Sequence, residues 1–409
     1  MRDIGADLLV YDPLSDSSQL VRGVIFGPNI SRRLGRVLGL NALPPGRAIC
    51  TYRCAYCPLA SVIELASSPG EVKGWLPAAR VVEALMDTFE VLGCPLDQLD
   101  ALVLIGNGEP TLYPELPELV YGMGKVRDLY APEAKVAVFT NSSLLGESRV
   151  LEALSMADYV VAKLDAVDNE LWVALNRPYH GLPGLMSLLR GLKVLRKALD
   201  GADGELVIST TFLELAQEGI SNASEGHLRA LARILSDLAP DQVHVETPLL
   251  PPGSPIRPLS RQELAEAALA IADAVGEERV FVLAGTTLPI PVRLLKHSKY
   301  LGLEAAKVRV RLPEPTRALL LEGPGARTRV KILEALSAKS MNCNQVAKAV
   351  GISWWTAQRH LERLLEAGLI RAVAFGRRTL YTITSAGLSA LMGLRARASE
   401  APGPPTRLL

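Results

Sequence analysis

The chain has 409 residues, enough for two or three domains, and 49% of them are hydrophobic, enough to fill large cores. The formal net charge is only +1, so the chain as a whole has no strong electrostatic preference for polyanions. The opening Met1 to Asp7 has no apolar h-region, no later run reaches the length of a membrane span, and five cysteines imply no disulfide framework. A cytoplasmic protein with no membrane partner is expected.

Residues 1–23 read as a polar lead-in. The segment Phe26-Gly27-Pro28-Asn29-Ile30-Ser31-Arg32-Arg33-Leu34-Gly35-Arg36 then runs into Val37–Leu40, the first expected strand, with Arg32 and Arg33 in a solvated turn ahead of it. Leu43-Pro44-Pro45-Gly46-Arg47 keeps the next stretch irregular, so Cys50 to Cys57 is expected in a loop. Thereafter helix and strand alternate. Apolar residues at helical spacing mark residues 78–92, 117–127, 147–154, 182–199, 225–238 and 261–275 as helices. Short apolar runs bounded by turn residues mark 101–105, 135–139, 159–162, 205–212 and 242–246 as strands. Six strands alternating with helices call for a parallel sheet with right-handed crossovers, an α/β domain over residues 24–300.

Cys50, Cys54 and Cys57 fall within eight residues, spaced CxxxCxxC. Thiolates held this close are soft ligands for zinc or for an iron–sulfur cluster. A closed zinc site or an ordinary cubane needs four ligands, and no fourth cysteine is near; three ligands on a four-iron cluster leave one iron open. Cys94 and Cys343 stand far away and read as ordinary buried thiols. Parallel β/α folds place their chemistry at the carboxyl ends of the strands. There the chain carries Gly106-Asn107-Gly108-Glu109-Pro110, Thr140-Asn141-Ser142-Ser143, Lys163-Leu164-Asp165 and Glu246-Thr247-Pro248.

The cysteine spacing and its Pro/Gly-rich lead-in resemble the radical S-adenosylmethionine (SAM) superfamily. FGPNISRRLGRVLGLN, KLDAVD and NRP (Asn176-Arg177-Pro178) resemble the branch grouped with wyosine-synthesis-like iron–sulfur oxidoreductases, and the likeness runs from about Phe26 to about Arg257. The resemblance implies a partial (βα)6 barrel with a [4Fe-4S] cluster on Cys50, Cys54 and Cys57. Its open iron would chelate the methionine end of SAM, and reductive cleavage would give a 5′-deoxyadenosyl radical. It implies cofactor contacts from Tyr56 against adenine, from the Gly106, Asn107, Gly108 and Glu109 turn on the methionine ammonium, from Asn141 and Ser142, and from Lys163 and Asp165, with Asp165 on the ribose. An electron donor of the ferredoxin or flavodoxin type is implied too. The substrate is not identified; tRNA, suggested by the wyosine enzymes, is put in doubt because the remaining cysteines do not supply the additional cluster those enzymes use. For Asn176 and Arg177 a substrate contact and a helix-terminating turn remain equally open.

Residues 301–325, interrupted by Pro313, Pro315 and Pro324, read as a linker. Residues 326–395 then show three short helices (328–336, 344–350 and 354–367, with Ser353 as N-cap) and a hairpin (370–374 and 379–382) turning at Phe375-Gly376-Arg377-Arg378. Residues 396–409 read as a disordered tail. The order of elements is that of a winged helix-turn-helix, and QVAKAVGIS…AQRHLERLLEAGLI…GRRTLYTIT resembles the archaeal and bacterial regulator type. From Arg327 to Arg395 there are eleven Lys or Arg against three Glu and no Asp, a net of +8 on an otherwise acidic chain. That footprint suits DNA or RNA. Ser353, Trp354, Thr356, Gln358 and Arg359 would start the recognition helix, with Arg377 and Arg378 in the wing. One of Trp354 and Trp355 is expected in the core. The alternative use of the domain is protein docking, and the alternative for the whole chain is a SAM- or redox-responsive transcription regulator.

Overall fold

The computed structural model describes residues 20–21, 23–92, 99–248, 255–283, 290–292, 319–321, 325–338, 341–375, 378–384, 387 and 390–391. The lead-in up to residue 19, the proposed tail at 396–409, Cys94 and Arg377 lie outside the described residues. The chain divides into two compact units, Met1–Glu90 with Leu96–Leu301, and Gly302–Leu409 with the short stretch Val91–Pro95.

The first unit is built on one nine-stranded sheet whose strands follow chain order. Strand β1 (Ile25–Ser31) pairs antiparallel with β2 (Gly35–Leu40). Parallel to β2 then run β3 (Ala101–Leu104), β4 (Lys135–Thr140), β5 (Tyr159–Lys163), β6 (Glu205–Thr211), β7 (Gln242–Glu246) and β8 (Val280–Leu283). The antiparallel pair β9 (Ile290–Pro291) closes the far edge. Helices α1 (Ala78–Leu92), α2 (Leu116–Tyr130), α3 (Ser148–Ser155), α4 (Asn169–Asn176), α5 (Leu185–Asp200), α6 (Glu225–Leu238) and α7 (Arg261–Val275) fill the crossovers. All six strands expected from the sequence are present, within a residue or two of their expected ends. The parallel sheet goes one strand further, because β8 is only four residues long and follows directly on the charged run Glu277-Glu278-Arg279, which hid it. The Gly27-Pro28 punctuation likewise hid β1: the strand survives it because the β1–β2 register shifts between Phe26 and Asn29.

Alternation sorts the strand residues onto two faces. Ala101, Val103, Ala137, Tyr159, Val161 and Val207 form one cluster with Leu34, Val37, Ile105 and Phe139, and no helix residue joins it. This is the inner, helix-free face. It continues along the same parity through Lys163, Ser209, Thr211, His244 and Glu246.

Three aspartates close the amino ends of the strands in the same way. The Asp100 amide donates to the Arg36 carbonyl at 2.8 Å while its Oδ2 accepts from the Arg36 amide at 2.6 Å. Asp158 does this with Val136 (2.9 and 2.7 Å) and Asp241 with Leu206 (2.9 and 2.7 Å). Each carboxylate therefore satisfies a strand-start amide donor. Arg127 and Arg196 reach the second and third of them at 2.6 and 2.5 Å.

The second unit contains α8 (Ala326–Ala338), α9 (Cys343–Val350) and α10 (Trp354–Glu366), then β10 (Ile370–Phe375) and β11 (Arg378–Ile383) as an antiparallel hairpin. Asn342 caps α9 with a capping box, Gly351 ends it at a φ of +72°, and Ser353 caps α10 through the Thr356 amide. Ile332, Leu333, Val346, Ala357, Leu361, Leu364 and Ile370 are its core, joined by Leu320 from the linker stretch and by the buried Cys343 thiol.

Replacing Asp241 by Ala strands the Leu206 amide and removes a partner of Arg196. It should cost about 1–3 kcal/mol, read as a lower denaturant midpoint of the first unit; an unchanged midpoint would mean that water replaces the carboxylate without penalty.

Candidate functional site

The cysteine loop is tied down on two sides. On one, Ile49 donates to the Asn107 carbonyl (3.1 Å) and Glu109 donates to the Ile49 carbonyl (3.0 Å), so Ile49 and Gly108 form a parallel bridge. A Cβ on Gly108 would stand 1.8 Å from the Ile49 carbonyl oxygen, so only glycine allows this approach. On the other side, Arg53 donates to the Arg177 carbonyl (3.1 Å), Ala55 to the Leu175 carbonyl (2.7 Å), and Tyr179 to the Thr51 carbonyl (2.9 Å). Arg177, left-handed at a φ of +47°, ends α4 and turns the chain so that Pro178 bridges Tyr52. The NRP motif is thus a helix-terminating turn, and one against which the cysteine loop is laid.

Cys50 is buried, and Cys54 and Cys57 are half-buried. Burial pushes all three thiols up, Cys54 to about 12, where nearby Asp165 adds to the effect and the Asn176 amide opposes it. Two side-chain amides aim at sulfur: Asn141 Nδ2 lies 3.5 Å from Cys50 Sγ, and Asn176 Nδ2 lies 3.5 Å from Cys54 Sγ. Among the described residues no three His, Cys, Asp or Glu side chains converge on a single ion position. The donor set, three cysteine thiols in a CxxxCxxC run with no fourth cysteine near, fits a cubane with one open iron. N–H···S contacts of the kind made by both asparagines stabilise a thiolate cluster.

Around the thiols the strand-end residues are brought together, though most have protein partners. Glu109, 1% exposed, takes Thr111 N (3.1 Å), Thr111 Oγ1 (2.6 Å) and Thr140 Oγ1 (2.8 Å) on Oε1, and only Asn141 N (2.7 Å) on Oε2 among the described residues. Burial pushes its carboxyl up, and those donors pull it back. Asn141 also donates to Thr51 Oγ1 at 2.7 Å. Asn107 turns its side chain away from the cysteines: it exchanges two hydrogen bonds with the Val21 backbone, at 2.8 and 2.7 Å. The Ser142 hydroxyl is spent on the Lys163 carbonyl at 2.8 Å. Gly106 packs directly on Asn41, whose Oδ1 would lie 2.1 Å from a Cβ placed there.

Asp165, 2% exposed, accepts from the Tyr56 hydroxyl, from Asn176 Nδ2 (2.8 Å), from the Thr211 amide (2.8 Å) and from Lys163 Nζ (3.2 Å). Its four lone-pair positions are filled, so a ribose contact requires Tyr56 or Lys163 to let go. The Lys163 ammonium lies 5.4 Å above the Tyr56 ring. It also contacts the Thr211 hydroxyl and, at 3.5 Å, Glu246. Arg32 and Arg33 are not in a solvated turn: they fold inward onto the same Glu246 at 3.3 and 2.7 Å, because a buried carboxylate needs counter-charge. Burial alone would raise Glu246, but Arg33, Lys163 and Arg32 hold it down at about 2. Thr51, Thr140, Asn176 and Asn222, which accepts from Leu213 N and donates to the Asp165 and Thr211 carbonyls, went unassigned in the sequence. Asn176 had a signal in its NRP motif and Thr140 in the Thr140-Asn141-Ser142-Ser143 run; Thr51 and Asn222 had none.

In the second unit Ser353, Thr356 and Arg359 are exposed. Gln358 is engaged by Glu362 at 3.0 Å and Tyr381 at 3.4 Å. Contrary to expectation neither tryptophan is core: Trp354 is 42% and Trp355 78% exposed, edge to face at 4.9 Å. The α10 core is instead made by Ala357, Leu361 and Leu364; Trp354 shares their helical face but stands at the first residue of α10, and Trp355 lies off that face. Arg378 opens β11.

The Radical SAM superfamily profile matches residues 48–212. The barrel is a radical SAM domain. Residues 327–372 match the bacterial regulatory protein, arsR family, so a helix-turn-helix of that type follows the radical SAM domain. A UPF0026 protein of Methanocaldococcus jannaschii is 29% identical over 261 residues, 64% of this chain and 74% of the relative. A UPF0026 protein of Helicobacter pylori is 28% identical over 246 residues, 60% and 73%. A solved structure of TYW1 with a lysine-pyruvate adduct bound is 16% identical at a TM-score of 0.38, covering 58% of this chain and 73% of that one. The radical SAM family implies a [4Fe-4S] cluster and SAM, and Cys50, Cys54 and Cys57 fit its motif. No described helix is long and apolar enough to cross a membrane.

Two outcomes are expected. Gly108→Ala, which drives a methyl into the Ile49 carbonyl, should cost about 1–3 kcal/mol, seen as a lower melting temperature; an unshifted melt would mean that the bridge yields freely. Because the Glu246 carboxyl falls from the usual 4.5 to about 2 on folding, it contributes stability above about pH 4.5 that is lost as pH falls toward 2. Glu246→Gln should flatten that stretch of the acid-unfolding profile by an amount on the order of 3 kcal/mol.

Proposed function

We propose that the chain is a radical SAM enzyme that holds a [4Fe-4S] cluster on Cys50, Cys54 and Cys57 and binds SAM at the strand ends around them. The observation that supports this most is the convergence of the three thiols, the Asn141 and Asn176 amides and the Glu109 carboxylate at one end of the parallel sheet. When bound, the cluster and SAM supply one-electron cleavage of the sulfonium to a 5′-deoxyadenosyl radical. The chain's own residues bind and orient. Glu109 Oε2, with one protein donor, has a lone pair left for the methionine ammonium, as do the Gly106 and Gly108 carbonyls. Tyr56 is held by Asp165 and Lys163 as a platform for adenine. Asp165 orients Tyr56, Lys163 and Asn176 together, so its part in cofactor binding is to fix those three groups. The electron comes from a ferredoxin- or flavodoxin-type donor in the cytoplasm.

The second unit supports nucleic-acid binding through its +8 net charge between Arg327 and Arg395 and the exposed Ser353, Trp354, Trp355, Thr356 and Arg359 at the start of α10. A SAM- or redox-responsive regulator would share these features but would not turn over.

After anaerobic reconstitution, Cys50→Ala, Cys54→Ala or Cys57→Ala should abolish the cluster and all formation of 5′-deoxyadenosine, while Cys343→Ala should spare both; about four irons retained in the triple variant would sink the assignment. Asp165→Ala should keep its iron and bind SAM about 1.5–3 kcal/mol more weakly by calorimetry. Duplex DNA binding should weaken with salt, and the joint Arg377→Ala, Arg378→Ala variant should show a slope of log affinity against log salt shallower by nearly two, about 0.9 per phosphate contact. Affinity indifferent to salt would favour protein docking.

A further inference from the structure

Two indoles stand in the open at the start of α10. Trp354 is 42% and Trp355 78% exposed, and their rings meet edge to face, centroids 4.9 Å apart at 88°. The Trp354 carbonyl accepts from the Cys343 thiol at 3.6 Å, which ties the first residue of α10 to the start of α9. Trp354 shares the helical face of Ala357, Leu361 and Leu364, so it backs Trp355, which lies off that face. Each indole turns about only two torsions, and their contact restricts both. The pair is a rigid apolar edge on a unit whose other surface is polar and basic.

The polar side chains around the rings are already engaged. Ser353 Oγ accepts from the Thr356 amide at 3.2 Å and shares a hydrogen bond with Thr356 Oγ1 at 2.8 Å. Gln358 Nε2 donates to Glu362 Oε1 at 3.0 Å, and Gln358 Oε1 accepts from the Tyr381 hydroxyl at 3.4 Å. Reading a paired base in the major groove uses side chains with donors and acceptors to spare, above all Arg, Lys, Asn and Gln. An indole has one N–H donor, no acceptor and two broad apolar faces. Arg359, exposed and one turn beyond Trp355 on the same side of α10, adds a cation. The +8 net charge between Arg327 and Arg395 selects a polyanion to cover these rings. A nucleic acid is the polyanion that also carries a flat ring at every repeat.

We propose that Trp355, backed by Trp354 and flanked by Arg359, stacks on an unpaired base, so that the second unit prefers a nucleic acid with a single-stranded bulge, loop or end. This rests on the nucleic-acid reading of that unit given above and names the form of its ligand. In a duplex the neighbouring bases cover each base face, and only edges reach the groove, where an indole reads poorly. An unpaired base offers its whole face, and every base has one, so the contact tolerates sequence. Arg359, about 6 Å further along the helix, supplies charge for the adjoining phosphate. A continuous duplex is then held by charge alone, and an unpaired base by charge and ring together.

The test is fluorescence anisotropy of labelled oligonucleotides titrated with the full chain. Three are compared: a continuous duplex, the same duplex with a central unpaired bulge, and the bulged duplex with abasic sugars in place of the bulge bases. The abasic form keeps the bend and the phosphates and removes only the rings. The full chain should bind the bulged duplex roughly tenfold more tightly than the continuous one, and the abasic form should lose that gain. Trp355→Ala should abolish the preference, and Trp355→Phe, which keeps a ring, should retain part of it. The salt slope of Trp355→Ala should match that of the unaltered chain, because no cation is lost. Each oligonucleotide is made as DNA and as RNA; a base-dependent preference in either supports the stacking, and the comparison tells which sugar is favoured. Equal affinity for bulged and continuous duplexes, an abasic bulge bound as tightly as the intact one, or a preference that survives in Trp355→Ala would each overturn the stacking while leaving the nucleic-acid reading in place. No salt-dependent binding of any of the oligonucleotides would overturn both, and would leave the two rings to a protein partner.

Discussion

The site depends on the contact between the Ile49 carbonyl and the Cα of Gly108, a distance that no side chain permits. Cys50 follows Ile49 and Glu109 follows Gly108, so this one contact sets a thiol and a carboxylate relative to each other. Glu109 grips the end of the next strand through Thr140 and the Asn141 amide, and the Asn141 side chain returns to Cys50. The ring is closed: Cys50, Ile49, Gly108, Glu109, Asn141 and Cys50 again. In a closed ring of short contacts no member moves alone, and that supplies the precision that a loop rich in Pro and Gly lacks by itself.

A second set of contacts fixes the rest of the loop. Leu175 and Arg177 offer carbonyls to Ala55 and Arg53, and Asn176 between them points the other way, to Asp165 and Cys54. The left-handed Arg177 makes that alternation possible by ending the helix there. Cys54 is therefore placed by a helix terminus and Cys50 by a strand end. Two rigid elements hold a segment that has little regular structure of its own.

Most of this was legible as type and position. Continuous apolar runs gave the parallel strands, and polar residues just past them gave Glu109, Asn141 and Asp165 as neighbours of the cysteines. The sequence could not show which partner claims each lone pair. Asn107 sits in the expected turn yet spends its side chain on Val21, eighty-six positions earlier in the chain. Arg32 and Arg33 look like any basic turn, and only the fold brings them to Glu246, more than two hundred residues away. Val280–Leu283 was missed for a different reason: four residues just after a charged run carry too little periodicity, and the strand exists because β7 supplies its edge. Trp354 and Trp355 were misjudged because large apolar side chains default to the core, whereas Ala357, Leu361 and Leu364 make it: Trp354 shares their face but begins the helix, and Trp355 lies off that face.

The buried charges make the last step. An ion cluster of this kind is a poor source of stability, since apolar side chains of the same volume would do as well or better. What charge offers in exchange is direction. Glu246 is held ionised far below neutral pH, so the groups around it keep fixed donors at fixed angles. Asp165, with four donors, likewise holds Tyr56, Lys163 and Asn176 in one arrangement. Lys163 belongs to both cliques, so a chain of contacts runs from Arg33 through Glu246, Lys163, Asp165 and Asn176 to Cys54. Electrostatic preorganisation of this sort lowers the reorganisation that charge movement requires in a site shielded from water. The polar inner face is therefore one connected set of ion pairs and hydrogen bonds that ends at the thiols.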